Sequence, residues 1–125
     1  MTGKEAFRRA MQLLGYTDQS GEPDSRRGQE LYKMGLTAVN QITAELSVAE
    51  SGELPPPLTS LQQTVPLTQQ TAQLILPYGI AMLIAAAVSD GDNQAVFAAL
   101  YDSRRTACCR AYIRRTDVLP RGCDA

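Results

Sequence analysis

Few residues of this chain have side chains suited to catalysis. The 125 residues include no histidine, which removes the most common general base and metal ligand at neutral pH. Without histidine, Ser-His-Asp and Cys-His arrangements within one chain are excluded. The sequence also lacks a glycine-rich phosphate-binding loop. We therefore expect no catalytic residues and no cofactor.

A close pair of acidic residues, Asp90 and Asp92, is the first candidate for a metal site. Together with Asp102, these carboxylates could bind a divalent cation, because such ions prefer oxygen ligands. Helix capping explains the pair more simply, since an aspartate before a helix accepts hydrogen bonds from unpaired backbone N–H groups. We expect an N-cap at this turn and no metal site.

The thiols are the second candidate. Cys108 and Cys109 follow Arg104 and Arg105, and nearby positive charge favours the reactive thiolate. Adjacent residues on a helix point about 100° apart, which is a poor geometry for a disulfide. Cys123 makes the count odd. We expect free thiols that pack as small apolar groups.

Charge is distributed unevenly along the chain, although the formal net charge is only −1. Residues 34–103 contain six acidic residues and no Lys or Arg, whereas the last 22 residues contain six arginines and two aspartates. An acidic body with a basic C-terminal end attracts either nucleic acid or an acidic protein surface. The charge pattern alone leaves both partners open.

Two helices are predicted in the N-terminal half. Thr2 and Glu5 form a capping box and Gly15 stands at a C-cap position, which predicts a first helix over Gly3–Leu14. A second helix is predicted from near residue 26 to residue 50, with a cap at position 24 or 25. Its apolar stripe consists of Leu31, Met34, Ala38, Ile42, Leu46 and Ala49. Gly28 and Gly35 within it weaken the helix and indicate either close helix contacts on that side or a break early in the pattern.

A long connection follows over residues 53–67. Pro55, Pro56 and Pro57 favour an extended, polyproline-like path, and Thr59 to Val65 could form a short strand or an arm. Two interpretations stay open: a solvated linker that spans the bundle, or an arm that reaches a neighbouring subunit.

Two further helices are predicted in the C-terminal half. Thr68 can cap a third helix over residues 69–88, in which Pro77 should cause a kink. This helix is almost entirely apolar, so part of its cover is expected from other copies. Its apolar run over residues 74–88 is shorter than a membrane span requires. A fourth helix is predicted over residues 93–115, with its core face formed by Val96, Phe97, Leu100, Tyr101, Cys108 and Ala111.

The fold class predicted from these elements is all-α. We expect a four-helix bundle-like domain over residues 1–115, with the long Pro-containing connection between helices 2 and 3 and an extended C-terminal arm over residues 116–125. The N-terminus shows no signal-peptide pattern, so a cytoplasmic protein is expected.

The arginines near the end of the fourth helix allow three interpretations. Arg110, Arg114 and Arg115 surround the helix end and do not form one continuous stripe. They could be a solvated end with local ion pairs, a surface that docks on an acidic protein, or a direct phosphate contact. A DNA-reading helix more often concentrates its basic residues on one face.

A series of short motifs in the second half resembles a known family. The motifs are Val65-Pro66-Leu67, Leu76-Pro77-Tyr78-Gly79-Ile80-Ala81, Gly91-Asp92, Phe97, Tyr101 and the basic helix end. In this order they resemble the small head-to-tail connector (adaptor) proteins of tailed bacteriophages. The resemblance covers residues 65–115, about 40% of the chain.

The resemblance implies a structural virion protein that is assembled in the host cytoplasm and located in the phage neck. Such adaptors form a homo-oligomeric ring, usually a dodecamer, between the portal protein and the tail or next neck protein. DNA passes through the ring lumen, and no membrane, metal or cofactor is implied.

Two sets of contact residues follow from the resemblance. The portal-docking residues would be Arg110, Arg114, Arg115, Val118, Leu119 and Arg121. The contacts to neighbouring subunits or the next neck protein would be Leu54, Pro55, Pro56, Pro57, Leu58 and Leu61. The alternative function is a small helical DNA-binding or DNA-packaging factor that uses the Arg-rich C-terminal helix.

Overall fold

Five α-helices form the computed structural model, which describes the backbone of residues 1–17 and 25–116 and the side chains of residues 1–17 and 31–107. The helices are α1 (Gly3–Leu14), α2 (Ser25–Ser51), α3 (Gln69–Leu74), α4 (Leu76–Ala87) and α5 (Gly91–Thr116). Within the described ranges, β-structure is limited to isolated bridges, so the all-α prediction is confirmed. The predicted 116–125 arm lies outside the described residues, apart from Thr116 at the end of α5.

The ends of α1 lie where the sequence predicts them. The Thr2 hydroxyl accepts a hydrogen bond from the N–H of Glu5, and Gly15 adopts a left-handed conformation with φ 77°. Only glycine adopts this conformation without a steric cost, which explains why the helix ends here. The buried face of α1 places Phe7 against Tyr32 of α2, with ring centroids 5.0 Å apart.

The predicted third helix is two helices, α3 and α4, separated by Ile75. Pro77 has no N–H to donate to the carbonyl of residue 73, and its ring excludes that carbonyl from helical geometry. The chain therefore leaves helical geometry at Ile75 (φ −120°, ψ −47°), and Pro77 lies in the first turn of α4. The prediction of one kinked helix over residues 69–88 is corrected to two helices.

Helix α4 is the centre of the fold, and α1, α2, α3 and α5 all contact it. Gly79 makes this packing possible: a Cβ atom at this position would lie 2.6 Å from Cγ2 of Ile42 and 2.9 Å from Cε1 of Tyr101. Of the two interpretations of the glycines in α2, the structure shows a close contact at Gly35, because a Cβ there would lie 2.9 Å from the ring of Phe7.

Helices α2 and α5 run in the same direction. Ile42 and Tyr101 both meet Gly79, and Glu45, further along α2, pairs with Arg105, further along α5. From this pair α2 continues six residues to Ser51, whereas α5 continues eleven residues to its end. The backbone of α5 therefore extends past the end of α2 by about five residues, or about 7 Å.

The predicted core face of α5 is only partly correct. Phe97 and Tyr101 are buried, but Val96 is 54% exposed and Leu100 is 38% exposed. These four positions span too wide an arc of the helix for all of them to face α4. The Tyr101 ring packs against Gly79, where there is no side chain, and this contact turns the Phe97 and Tyr101 side of α5 toward α4. The side chains of the other two predicted core residues, Cys108 and Ala111, lie outside the described residues.

Candidate docking surfaces

The proline-rich connection is held against α2 by one side chain. The N–H of Leu58 donates to Oδ1 of Asn40 at 2.7 Å, and Nδ2 of Asn40 donates to the carbonyl of Leu58 at 2.9 Å. The chain between the end of α2 and Leu58 is thereby folded back along α2. Leu54, near the start of this folded-back segment, is 73% exposed, and Pro56 and Pro57 are also exposed.

A cavity of about 200 Å³ lies between this loop and α2. Its lining residues are Asn40, Thr43, Ala44 and the loop residues 54–58. Thr43 is 3% exposed, and its hydroxyl has no hydrogen-bond partner among the described residues. A buried hydroxyl of this kind ordinarily has a partner, so the cavity carries one unused hydrogen-bonding group. Neither Asn40 nor Thr43 was predicted, because a polar residue within a helix carries no signal until its neighbours are known.

The second part of the connection packs on its own subunit. The N–H groups of Gly3 and Lys4 donate to the carbonyls of Gln63 and Leu61 at 3.0 and 2.8 Å. These are N–H groups of the first turn of α1, which have no partner within the helix. Leu58 and Leu61 are half-buried and pack against the core. Of the predicted neck-contact residues, Leu54, Pro56 and Pro57 are therefore the exposed members, and Pro55 is half-buried.

The first two arginines of α5 bind within the same subunit. Arg104 donates to the carbonyl of Leu74 at 2.7 Å, at the last residue of α3, and its guanidinium lies 4.1 Å from the centroid of the Tyr78 ring. Arg105 pairs with Asp102 at 3.3 Å and with Glu45 at 3.8 Å. Contacts within the subunit therefore account for both arginines, through a carbonyl and an aromatic ring for Arg104 and through ion pairs for Arg105.

The later arginines occupy the end of α5. Arg110, Arg114 and Arg115 lie on its described backbone, but their side chains are outside the described residues. Val118, Leu119 and Arg121 lie outside the described residues entirely, backbone and side chain. On the described backbone, Arg114 and Arg115 lie in the part of α5 that extends past α2, whereas Arg110 lies level with the end of α2.

The two surfaces lie on different flanks of α2. Asn40 and Thr43 face the proline-rich connection, whereas Glu45 faces α5. Residues 43 and 45 are about 200° apart around a helix. A partner on the connection therefore approaches from a different side than a partner at the end of α5.

The acidic turn before α5 is a cap, as predicted. Oδ1 of Asp90 accepts a hydrogen bond from the N–H of Asn93 at 3.3 Å, and Oδ2 accepts from the Asn93 side chain at 2.7 Å. The hydroxyl of Tyr16 donates to Asp90 as well, which joins the end of α1 to this turn. In the described part of the chain, no group of three or more His, Cys, Asp or Glu side chains is arranged to hold a metal ion.

One stretch of the described residues, Gln69–Ala87, is long and apolar enough to cross a membrane by length and composition. This stretch is longer than the apolar run over residues 74–88 that the sequence shows, which is too short for a membrane span. In the structure 56% of the Gln69–Ala87 stretch is buried inside the protein, and the core helix of a soluble protein meets the same criterion. The stretch is therefore weak evidence for a membrane span.

Comparison of the chain with protein-family models, with curated proteins and with solved structures finds no match.

Proposed function

We propose that this chain is a structural head-to-tail connector (adaptor) of a tailed bacteriophage, which forms a homo-oligomeric ring between the portal protein and the tail or next neck protein. The resemblance over residues 65–115 motivates the proposal. The observation that carries it is the end of α5, whose last five residues or so extend past α2 and include Arg114 and Arg115.

The charge of the chain supports docking through this end. Residues 34–103 are acidic, and the two cations nearest to them in sequence on α5, Arg104 and Arg105, are used within the subunit. On α5 and the residues that follow it, the arginines that remain for a partner therefore all lie beyond residue 105. An acidic surface on a portal ring would complement it, and such complementarity sets the orientation and register of docking.

The exposed part of the proline-rich connection supports a second contact. Leu54, Pro56 and Pro57 present apolar atoms on a backbone that Asn40 holds in place. A preordered loop loses little conformational entropy when a partner binds. We assign this surface to a neighbouring subunit or to the next neck protein.

The proposal is tested with the full chain and the portal protein encoded in the same genome. We expect ring-shaped particles in negative-stain images and co-sedimentation of these particles with portal rings. The double charge reversal Arg110→Glu/Arg114→Glu should weaken portal binding at least tenfold. The matched control, Lys4→Glu/Arg9→Glu on α1, should leave portal binding unchanged.

Two results would contradict the proposal. One is a chain that stays monomeric at high concentration and does not bind portal rings. The other is duplex DNA binding that falls steeply with salt and is lost in Arg110→Glu/Arg114→Glu, without any portal binding. The second result would establish the DNA-binding alternative.

A further inference from the structure

The outer face of α5 is apolar although it points away from the core. We call this face the α5 outer stripe; it consists of Val96, Ala99, Leu100, Ser103 and Ala107, all of which are exposed. Helical periodicity places these residues within about 100° of one another. Isolated exposed apolar residues are ordinary, but a continuous charge-free stripe along three turns of a helix is typical of a contact surface.

A second largely apolar surface, a groove, lies elsewhere on the same chain. It is a cavity of about 290 Å³ between α2 and α4, which we call the α2–α4 groove. Its lining includes Met34, Thr37, Ala38, Gln41, Leu83 and Ile84. No α5 residue up to Ala107, where the described side chains end, lines it, so the stripe and the groove are separate surfaces of the subunit.

The groove matches the first part of the stripe in length. The groove extends along α2 from Lys33 to Gln41, a helical rise of about 12 Å. The whole stripe rises about 16 Å from Val96 to Ala107, and its part up to Ser103, which contains both large side chains, rises about 10 Å. Val96 and Leu100 are the large side chains of the stripe, and the small residues beside them allow another helix to approach closely.

The charges at the two surfaces are opposite. Among the side chains that the structure describes, Lys33 is the one charged residue that lines the groove. Asp92 lies one helical turn before Val96 on the same side of α5, and the sequence from Gly91 to Ser103 contains no cation. An ion pair between Lys33 of one copy and Asp92 of another would favour one orientation of the contact.

We infer that the α5 outer stripe of one copy docks in the α2–α4 groove of a second copy. Because the two surfaces differ, the contact is heterologous, and its repetition generates either a closed ring or a helical filament. Of the proposed function, this inference depends on one part only, the self-association of the chain. It is independent of portal docking.

Two variants of the full chain test the pairing, one on each surface. Leu100→Arg places a charge on the stripe, and Thr37→Arg places a charge at the groove. Both residues are solvent-exposed, so each variant should keep the helical circular dichroism and unfolding temperature of the parent chain. In light scattering coupled to size exclusion, each variant alone should associate at least tenfold more weakly than the parent. Gln94→Arg, on another side of α5, is the matched control and should associate normally.

Mixing the variants distinguishes a heterologous contact from a symmetric one. Leu100→Arg retains an intact groove and Thr37→Arg retains an intact stripe, so an equimolar mixture should form a 1:1 heterodimer and nothing larger. A mixture that stays monomeric overturns the inference. Normal assembly of both single variants, or loss of assembly in Leu100→Arg alone, also overturns it and leaves the proposed ring standing.

The outcomes separate this inference from the proposed function. A parent chain that assembles through stripe and groove but does not bind portal rings supports the inference and contradicts the connector proposal. A parent chain that is monomeric at millimolar concentration contradicts both.

Discussion

Asn40 holds the backbone of Leu58 through both atoms of its side-chain amide, accepting from the N–H and donating to the carbonyl. The two residues are 18 positions apart, and the chain between them contains the end of α2 and the first part of the proline-rich connection. This pair of hydrogen bonds gives the connection a defined path along α2. The first prediction tests its contribution.

Asn40→Asp should detach the connection from α2. An aspartate can still accept from the N–H of Leu58, but it cannot donate to the Leu58 carbonyl and places two oxygen atoms against each other. We expect a loss of about 1–3 kcal/mol in the free energy of unfolding, measured by urea denaturation. Cleavage by thermolysin within residues 53–61 should become faster. Gln70→Glu adds the same charge at an exposed site in the first turn of α3, where an acid is neutral or slightly stabilising, so it should neither lower the stability nor speed the cleavage; equal losses in the two variants would refute the role of Asn40.

Gly79→Ala should destabilise the whole bundle. The added methyl group would lie 2.6 Å from Cγ2 of Ile42 and within 3.0 Å of the Tyr101 ring, so α2 and α5 must move away from α4. We expect a loss of about 1–3 kcal/mol. For a chain of this size each kcal/mol lowers the melting temperature by about 3–5 °C. The control, Gly91→Ala, meets no atom within 4 Å and should be neutral or slightly stabilising; a neutral Gly79→Ala would show that the helices are not this closely packed.

Ser89→Gly should stabilise the protein. Ser89 has a φ of 60°, in the left-handed region that a side chain disfavours, at the turn between α4 and α5. Glycine removes this strain, and we expect a gain of up to about 1 kcal/mol in thermal unfolding experiments. The same substitution within α5, Ser103→Gly, should instead cost about 0.5 kcal/mol because glycine disfavours helix. Equal signs for the two variants would contradict the assigned backbone conformation.

Arg104→Ala should destabilise the protein more than Arg105→Ala. Arg104 is half-buried, caps the final carbonyl of α3 and stacks on Tyr78, and these contacts together contribute about 1–2 kcal/mol. Arg105 and its partner Glu45 are each more than a third exposed, so solvent screens the pair and less than about 1 kcal/mol is expected. Arg104→Lys should recover only part of the loss, because an ammonium group cannot stack like a guanidinium. Chemical denaturation of the three variants measures this order, and full recovery with lysine would leave charge as the sole contribution.

Local signals in the sequence determine the ends of several helices. The Thr2 and Thr68 side chains cap α1 and α3, Asp90 caps α5, and Gly15 ends α1, all as predicted. Each of these contacts joins residues three or four positions apart, or depends on the φ of one residue. The chain therefore specifies them without help from distant segments.

Local signals could not predict which face of α5 packs against the core. Val96, Phe97, Leu100 and Tyr101 are all of types found in protein cores, and periodicity alone cannot choose which of them faces the core. The choice depends on Gly79, which leaves space for Tyr101 and lies 22 residues earlier. Exposure of Val96 and Leu100, and with it the α5 outer stripe, follows from that packing.

The sequence by itself determined that this chain is helical, that it lacks histidine chemistry, and that its positive charge is concentrated near the C-terminal end of α5. These properties follow from composition, spacing and capping, which are local. Tertiary structure alone decided that Asn40 folds the proline-rich connection back along α2, that Arg104 and Arg105 bind within the subunit, and that α5 extends past α2. Such relationships depend on which helices pack side by side, and packing free energy is shared among residues far apart in the chain.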